Sequence, residues 1–417
     1  MRKLLLGLLI ASTIHVNAQT IKILFDASSA QMAGNADWVI DADTRNIKTG
    51  TGGIMTTGGN ESNPQRIPTP AQSGITASSA ETFWAGGISN WGVDLAKRGY
   101  IIETLPYNGL ITYGVSTNVQ DLSNYKIFII DEPNIRFTTA EKTALLNFVA
   151  NGGGLFMIAD HTVSDRNNDG WDSPAIFNDF MTNNGSVSNP FGIKFDLANF
   201  SQTSTNILNS STDPILHGVM GNVTGLQYNN GTSMTINKTA NASAKGLIFK
   251  TGSSTTGTTN CIFAAANYGT GKVCGLGDSS PVDDGTGDPN DVLYSSYKTA
   301  VSGSHQKLLM NAVIWMLTPG TAPRMAEPTI EPAASVGMKL YPNPANDQIH
   351  LSYAIQENTE GQLSIMNLTG QIVFQKTITA DSAAGDFTLD LSAFPAGMYV
   401  ATLQNGKDVI SQKFIRQ

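Results

Sequence analysis

Four runs of apolar residues in the first three quarters of the chain each end in a carboxylate. ILFD closes on Asp26, IFIID on Asp131 followed by Glu132, LFMIAD on Asp160 followed by His161, and VCGLGD on Asp278. Unbroken apolar runs of this length read as buried strands of a parallel sheet, whose C-terminal ends share one edge, the edge where open α/β folds bind ligands. One such Asp caps a turn well enough. Four in four predict a shared acidic site, with Asp26, Asp131, Asp160 and Asp278 as its carboxylates. Carboxylates brought together repel unless a cation, a shared proton or a basic partner compensates. His161, beside Asp160, stands where a general acid or base would stand.

Two loops after those strand ends are also acidic. In SDRNNDGWDSP, Asp165, Asn167, Asp169 and Gly170 reproduce the D-x-N-x-D-G opening of a calcium loop, whose alternate oxygens fold around a hard cation. The closing Glu of an EF-hand is replaced by Ile176, so Asp172 is the expected further ligand and Ca²⁺ the expected cofactor. SSPVDDGTGDPND offers Asp283 and Asp284 on the Asp278 side, and together with Glu132 these are candidate substrate contacts. Asn35, Asp37 and Trp38, in AGNADWVIDAD just beyond Asp26, complete that set, the indole being suited to stack on a sugar ring. The whole stretch between Asp26 and Ile88 is rich in Gly, Ser, Thr and Asn and reads as a lid or a disordered loop. No H-E-x-x-H and no G-x-S-x-G occur, which argues against zinc-protease and α/β-hydrolase chemistry.

These residues need a scaffold, and the pattern supplies one. Ile88 to Arg98 predicts a helix stopped by Gly99; Thr138-Thr139-Ala140-Glu141 is a capping box opening a second helix; Leu308 to Leu317 is the apolar stripe of a last one. Strands at Ile21–Phe25, Tyr100–Leu105, Tyr125–Ile130 and Leu155–Ala159 alternate with them, so residues 19–317 read as an α/β domain with a mostly parallel sheet. CIFAAANYGTGKVCGLG predicts a late antiparallel hairpin that pairs Asn267 with Lys272 and keeps Cys261 and Cys274 too far apart to bond.

Composition bounds the rest. The chain has 417 residues and only 14% charged residues, with 41 Gly, which excludes a coiled coil, a collagen or a membrane bundle. Its formal charge is −8, or −10 without a leader carrying Arg2 and Lys3, so the cationic field that nucleic-acid binding needs is absent. Residues 1–18 read as a signal peptide: a basic start, the apolar stretch Leu4–Ile10, which is too short to span a bilayer, and Val16-Asn17-Ala18 as the cleavage site. Residues 318–335, with four prolines, read as a linker, and 336–417 as a small β-sandwich of short alternating strands.

Two resemblances follow from these motifs. LYPNPANDQIHLSY, SIMNLTGQIV, LSAFPAGMYVATL and the terminal KF resemble the C-terminal sorting domain of type IX secretion cargo in Bacteroidota. The resemblance implies an export address, a partnership with the secretion machinery, and a destination outside the cell or on its surface. The arrangement of ILFD, GGGLFMIADH, DPILHG and AAANYGTGKVCGLGD before LLMNAVIWML resembles class I glutamine amidotransferase-like domains, closest to the trehalose-utilisation-like branch. It implies a flavodoxin-like sheet, but Asp160-His161 stands where that superfamily places its cysteine, so amidotransferase chemistry does not follow. Two functional readings result. One is a secreted, metal-assisted hydrolase of an extracellular glycan or ester; the other is a non-catalytic, calcium-dependent glycan-binding surface protein.

Overall fold

The computed structural model describes residues 21–33, 36–41, 47–49, 55–57, 72–84, 86–106, 109–285, 294–318, 337–355, 360–367, 370–378, 384–405 and 408–417. The expected signal peptide, nearly all of the expected linker and Asn35 lie outside them.

The first domain is built on nine strands: β1 (Lys22–Asp26), β2 (Ile101–Leu105), β3 (Ile127–Asp131), β4 (Gly154–Ile158), β5 (Ile193–Phe195), β6 (Met234–Ile236), β7 (Lys245–Phe249), β8 (Cys261–Tyr268) and β9 (Gly271–Leu276). Their order is β2-β1-β3-β4-β9-β8-β6-β5, with β7 also on β8. The first five are mutually parallel, and β8 turns the sheet antiparallel. The inner parallel strands β1, β3 and β4 carry nearly continuous apolar runs, as burial on both faces requires.

Helices cover both faces. α1 (Ser89–Lys97) and α4 (Ser304–Leu317) pack Trp91, Val93, Leu95, Leu308, Leu309 and Val313 against Ile23, Phe25, Ile129, Phe156 and Leu276. On the other face, α2 (Thr139–Ala150) and α3 (Ser173–Thr182) pack Leu145, Val149, Phe177 and Phe180 with Leu24, Phe128, Leu155 and Met157. The capping box forms as its spacing predicts: Thr138 Oγ1 accepts from Glu141 N–H while the Glu141 carboxylate accepts from Thr138 N–H. α4 ends against the sheet. Lys272 on β9, 5% exposed, donates to the Trp315 carbonyl, the Thr318 carbonyl and the Thr318 hydroxyl at 2.6–2.8 Å.

The hairpin register pairs Asn267 with Lys272 and Ala265 with Cys274, and both cysteines are buried free thiols. Burial pushes the Cys261 thiol up to about 12, which leaves it inert as a nucleophile. The segment after β1 departs from the expected open loop. Residues 27–33 and 38–40 are buried, and Trp38 and Ile40 belong to the core, because their apolar side chains fill the space between α1 and the end of β1.

Among its described residues the tail forms seven strands, as the alternating pattern led one to expect of a small sandwich. They are β10 (Gly337–Tyr341), β11 (Gln348–Ala354), β12 (Gly361–Asn367), β13 (Ile372–Ile378), β14 (Ala384–Asp390), β15 (Gly397–Asn405) and β16 (Asp408–Arg416). They make two antiparallel sheets, β10-β11-β14 and β13-β12-β15-β16, closed on a core of Leu351, Ile365, Leu403 and Phe414. Among the described residues no helix is long and apolar enough to cross a membrane.

Candidate acidic site at the strand C-termini

Register decides which carboxylates meet. Asp131 pairs with Ile158, and Ile158 with Leu276, so Asp160 and Asp278 each lie two residues further along their strands, on the same face as Asp131. Phe25 pairs with Ile129, which puts Asp26 level with Ile130 and on the opposite face. Asp131, Glu132, Asp160 and Asp278 therefore form one group, each at most 4% exposed. Asp26, expected among them, is separate. Its carboxylate accepts from Ser28 N–H at 2.9 Å and Gln31 Nε2 at 2.6 Å, and burial lifts it to about 6.

The group is held by donors from four segments. Glu132 sits at φ +40°, a conformation that an ordinary side chain adopts at a cost, and one that concentrates at functional sites. Its carboxylate accepts from Trp38 Nε1 at 2.8 Å, Ser279 Oγ at 2.7 Å and Arg166 Nε and Nη2 at 3.2 and 3.1 Å. Arg166 Nη2 also donates to Asp160 Oδ2 at 2.9 Å, so one guanidinium bridges two buried carboxylates. Asp278 accepts from Asn229 N–H, Ser280 N–H and Ser280 Oγ at 2.6–2.9 Å. Asp131 is different: both of its oxygens are buried with no hydrogen-bond partner.

One cation cannot neutralise four carboxylates, so protons must remain. Burial raises Asp131 well above the usual carboxylate range, and Glu132, Asp278 and Asp283 raise it further. Burial, then Glu132 and Asp278, raise Asp160 despite Arg166. Burial carries Asp278 to about 7 against the lowering effect of its Ser280 and Asn229 bonds. Arg166 is the basic partner, and burial favours the protonated form of the carboxyls around it.

His161 and Arg166 are the partly exposed members at this group's edge, with side chains 13% and 27% exposed. His161 Nδ1 lies 2.5 Å from the Thr162 carbonyl oxygen, which only accepts, and 2.9 Å from Asn199 Nδ2, which only donates, so the ring's tautomer decides which of the two it bonds. Nε2 lies 3.4 Å from Asp160 Oδ2, which also accepts from Arg166.

The other expected site residues have the following places. Trp38 is 1% exposed and spends its N–H on Glu132, so it offers no face to a sugar; its bulk is needed in the core. Asp37 lies on the short strand Ala36–Asp37. Asp284 accepts from Asn90 N–H in the first turn of α1, and Asp283 accepts from Gly285 and Tyr294 N–H, so both tie loops. In the calcium-like loop, Asp165 accepts from Asp169 and Gly170 N–H, and Asp169 from Trp171 N–H. Asn167 Oδ1 accepts from Asp169 N–H while its amide donates to the Asn134 carbonyl, and Asp172 caps α3 through Ala175 N–H. Among the described residues no three His, Cys, Asp or Glu side chains gather as an ion's ligands would. Sequence reasoning missed Arg166, Ser279 and Tyr294. The Tyr294 phenol is raised by burial and then by the negative charges of Asp278, Asp160 and Asp283. The one legible signal was Arg166, the single base inside SDRNNDGWD.

Comparison with known proteins identifies the tail. Residues 339–417 match the family model of the secretion system C-terminal sorting domain. The protein is therefore cargo of the type IX route, delivered to the cell surface or beyond it. No curated protein matches the chain. Among solved structures it is similar to the mmIFT52 N-terminal domain at 14% identity, over 72% of this chain and 100% of that one, with a TM-score of 0.41. Dimeric latent PorU from Porphyromonas gingivalis is similar at 15% identity, over 21% and 10% of the two chains, with a TM-score of 0.18. The β-glucuronidase of Parabacteroides merdae follows at 12%, over 20% and 13%, with a TM-score of 0.16. At such TM-scores none of these neighbours carries an activity over to this chain.

Proposed function

We propose that the α/β domain is a hydrolase that cleaves a C–O bond of an extracellular glycan or ester by general acid–base catalysis at Asp160 and His161. The observation that carries this reading is the 3.4 Å approach of His161 Nε2 to Asp160 Oδ2 within a group of buried carboxylates. Protonating a leaving oxygen requires an acid that is still charged with its proton near neutral pH, and buried carboxyls beside other carboxyls provide one. Delivery of the proton leaves Asp160 ionised against Arg166, and the same pair then takes a proton from the attacking water. Glu132, fixed by three different donor groups, and Arg166 set the field in which this occurs. An uncharged substrate suits a pocket whose fixed groups are acidic, which favours neutral glycosides and esters over phosphates or uronates.

The parallel half of the sheet supports a flavodoxin-like, glutamine amidotransferase-like fold for this domain. Its order β2-β1-β3-β4-β9 is the doubly wound order 2-1-3-4-5, whose ligand crevice opens where the order reverses, at the ends of β1 and β3. Glu132 lies at that position.

The test uses the full chain with aryl glycosides and aryl esters, the two arms separating the two bond types. His161→Ala and Asp160→Asn should each lower kcat by roughly 10²- to 10⁴-fold. His161→Ala should do so with little change in Tm. Hydrolysis that persists at the parental rate in Asp160→Asn overturns the assignment.

A further inference from the structure

The tail motif YPNP and the terminal KF are more than sixty residues apart in sequence, and the fold brings them into contact. β16 is the outer strand of its sheet, with the main-chain groups of its far side directed away from β15. An exposed edge of this kind is normally covered or blunted. Here the corner Tyr341–Ala345 covers it. Asn343 Nδ2 donates to the Lys413 carbonyl at 3.0 Å, and Asn343 Oδ1 accepts from Ile415 N–H at 2.9 Å. Ala345 continues the contact: its N–H donates to the Ile415 carbonyl at 2.8 Å, and its carbonyl accepts from Gln417 N–H at 2.9 Å.

The residue types explain the device. Pro342 and Pro344 have no N–H, so this stretch of main chain cannot itself pair with a strand. A side-chain amide presents a C=O and an N–H₂ side by side, the same pair that a peptide unit presents. Asn343 thus stands in for one residue of a missing strand, and Ala345 takes over where the prolines end. Asp cannot donate in its ionised form, and Ala can neither donate nor accept.

We propose that the export address is this joined unit and not a linear tail, with Asn343 as the positioning residue that fixes Lys413–Gln417 in the form the secretion machinery reads. The inference rests on the sorting domain and is independent of the hydrolase reading.

The test follows the full chain in its native host and, after purification, by amide hydrogen exchange. Asn343→Ala should speed exchange at Ile415 and Gln417 by about five- to tenfold, the worth of a hydrogen bond. Amides of β12 and β15 should remain as protected as before, which a general destabilisation would not allow. The same variant should be retained in the periplasm with its α/β domain folded. Asn343→Asp keeps the acceptor for Ile415 and loses the donor to Lys413, so its export should fall between the two. Parental exchange at Ile415 in Asn343→Ala overturns the proposal, as does parental export by a variant that has lost that protection. If Asn343→Ala loosens the whole sandwich, Asn343→Asp decides: reduced export with an intact sandwich supports the latch, and full export defeats it.

Discussion

The strand-end group and the loop 165–172 are both acidic and nearly adjacent in sequence, yet they answer to different physics. In the loop, Asp165, Asp169 and Asp172 each accept main-chain N–H groups from within a few residues. Those carboxylates are consumed locally, as Asp is in any tight turn. In the strand-end group only Asp278 takes main-chain amides, whereas Glu132 and Asp160 turn to side-chain donors, Arg166 and Trp38 among them. Asp131 finds no hydrogen-bond partner among the described residues. The number of acidic residues does not make a site. What makes one is a shortage of nearby donors.

The sharpest way to break this contrast is turnover. Asp160→Asn should cost roughly 10²- to 10⁴-fold in kcat, and Asp169→Asn should leave the rate essentially unchanged. Equal losses from both would place the loop inside the chemistry.

Next in size is the dependence of stability on pH. Asp278 is raised to about 7 and Asp26 to about 6 in the folded protein, so the native state holds protons that the unfolded chain releases near pH 4. Stability should therefore fall as pH rises from about 4 through the folded values, and Asp278 alone accounts for roughly 4 kcal/mol. Urea midpoints across that range should flatten in Asp278→Asn, whereas Asp165→Asn should leave the profile unaltered.

Removing the cation comes third. Arg166→Ala leaves Glu132 and Asp160 buried without compensation and should cost about 3 kcal/mol. Adding Glu132→Gln should recover part of that loss; if the double variant is less stable than Arg166→Ala alone, the compensation argument fails. The smallest effect belongs to the loop. Asp165→Ala gives up two bonds to exposed amides and should cost about 1 kcal/mol. Millimolar Ca²⁺ should leave Tm within about 1 °C, and a clear rise by mass action, lost in Asp165→Ala, would restore the ion-cage reading.

Much of this was legible in the sequence and some was not, for identifiable reasons. Continuous apolar runs located β1, β3, β4 and β9, and the Thr138 capping box located α2 to the residue. The strand ends were visible, but their faces were not. Separating Asp26 from Asp131 needs the register between two parallel strands, which hydrogen bonds over long sequence distances set and no local pattern records. Trp38 failed for a related reason. An indole in a Gly-rich stretch looks like a surface aromatic until α1 closes over it. Arg166 was overlooked because its neighbours looked like ion ligands, although a guanidinium among acids is itself the simplest counter-charge.

Lys272 has a mechanical meaning. It ties Trp315 and Thr318 to β9, and Thr318 is the last described residue before the stretch that leads to the sorting domain. A pull applied to the tail during transport therefore arrives at a charged clamp on a central strand, bonded to β4 on one side and β8 on the other. The end of α4 is thus fastened to the core at the point where the chain leaves the domain, one residue past the last helix.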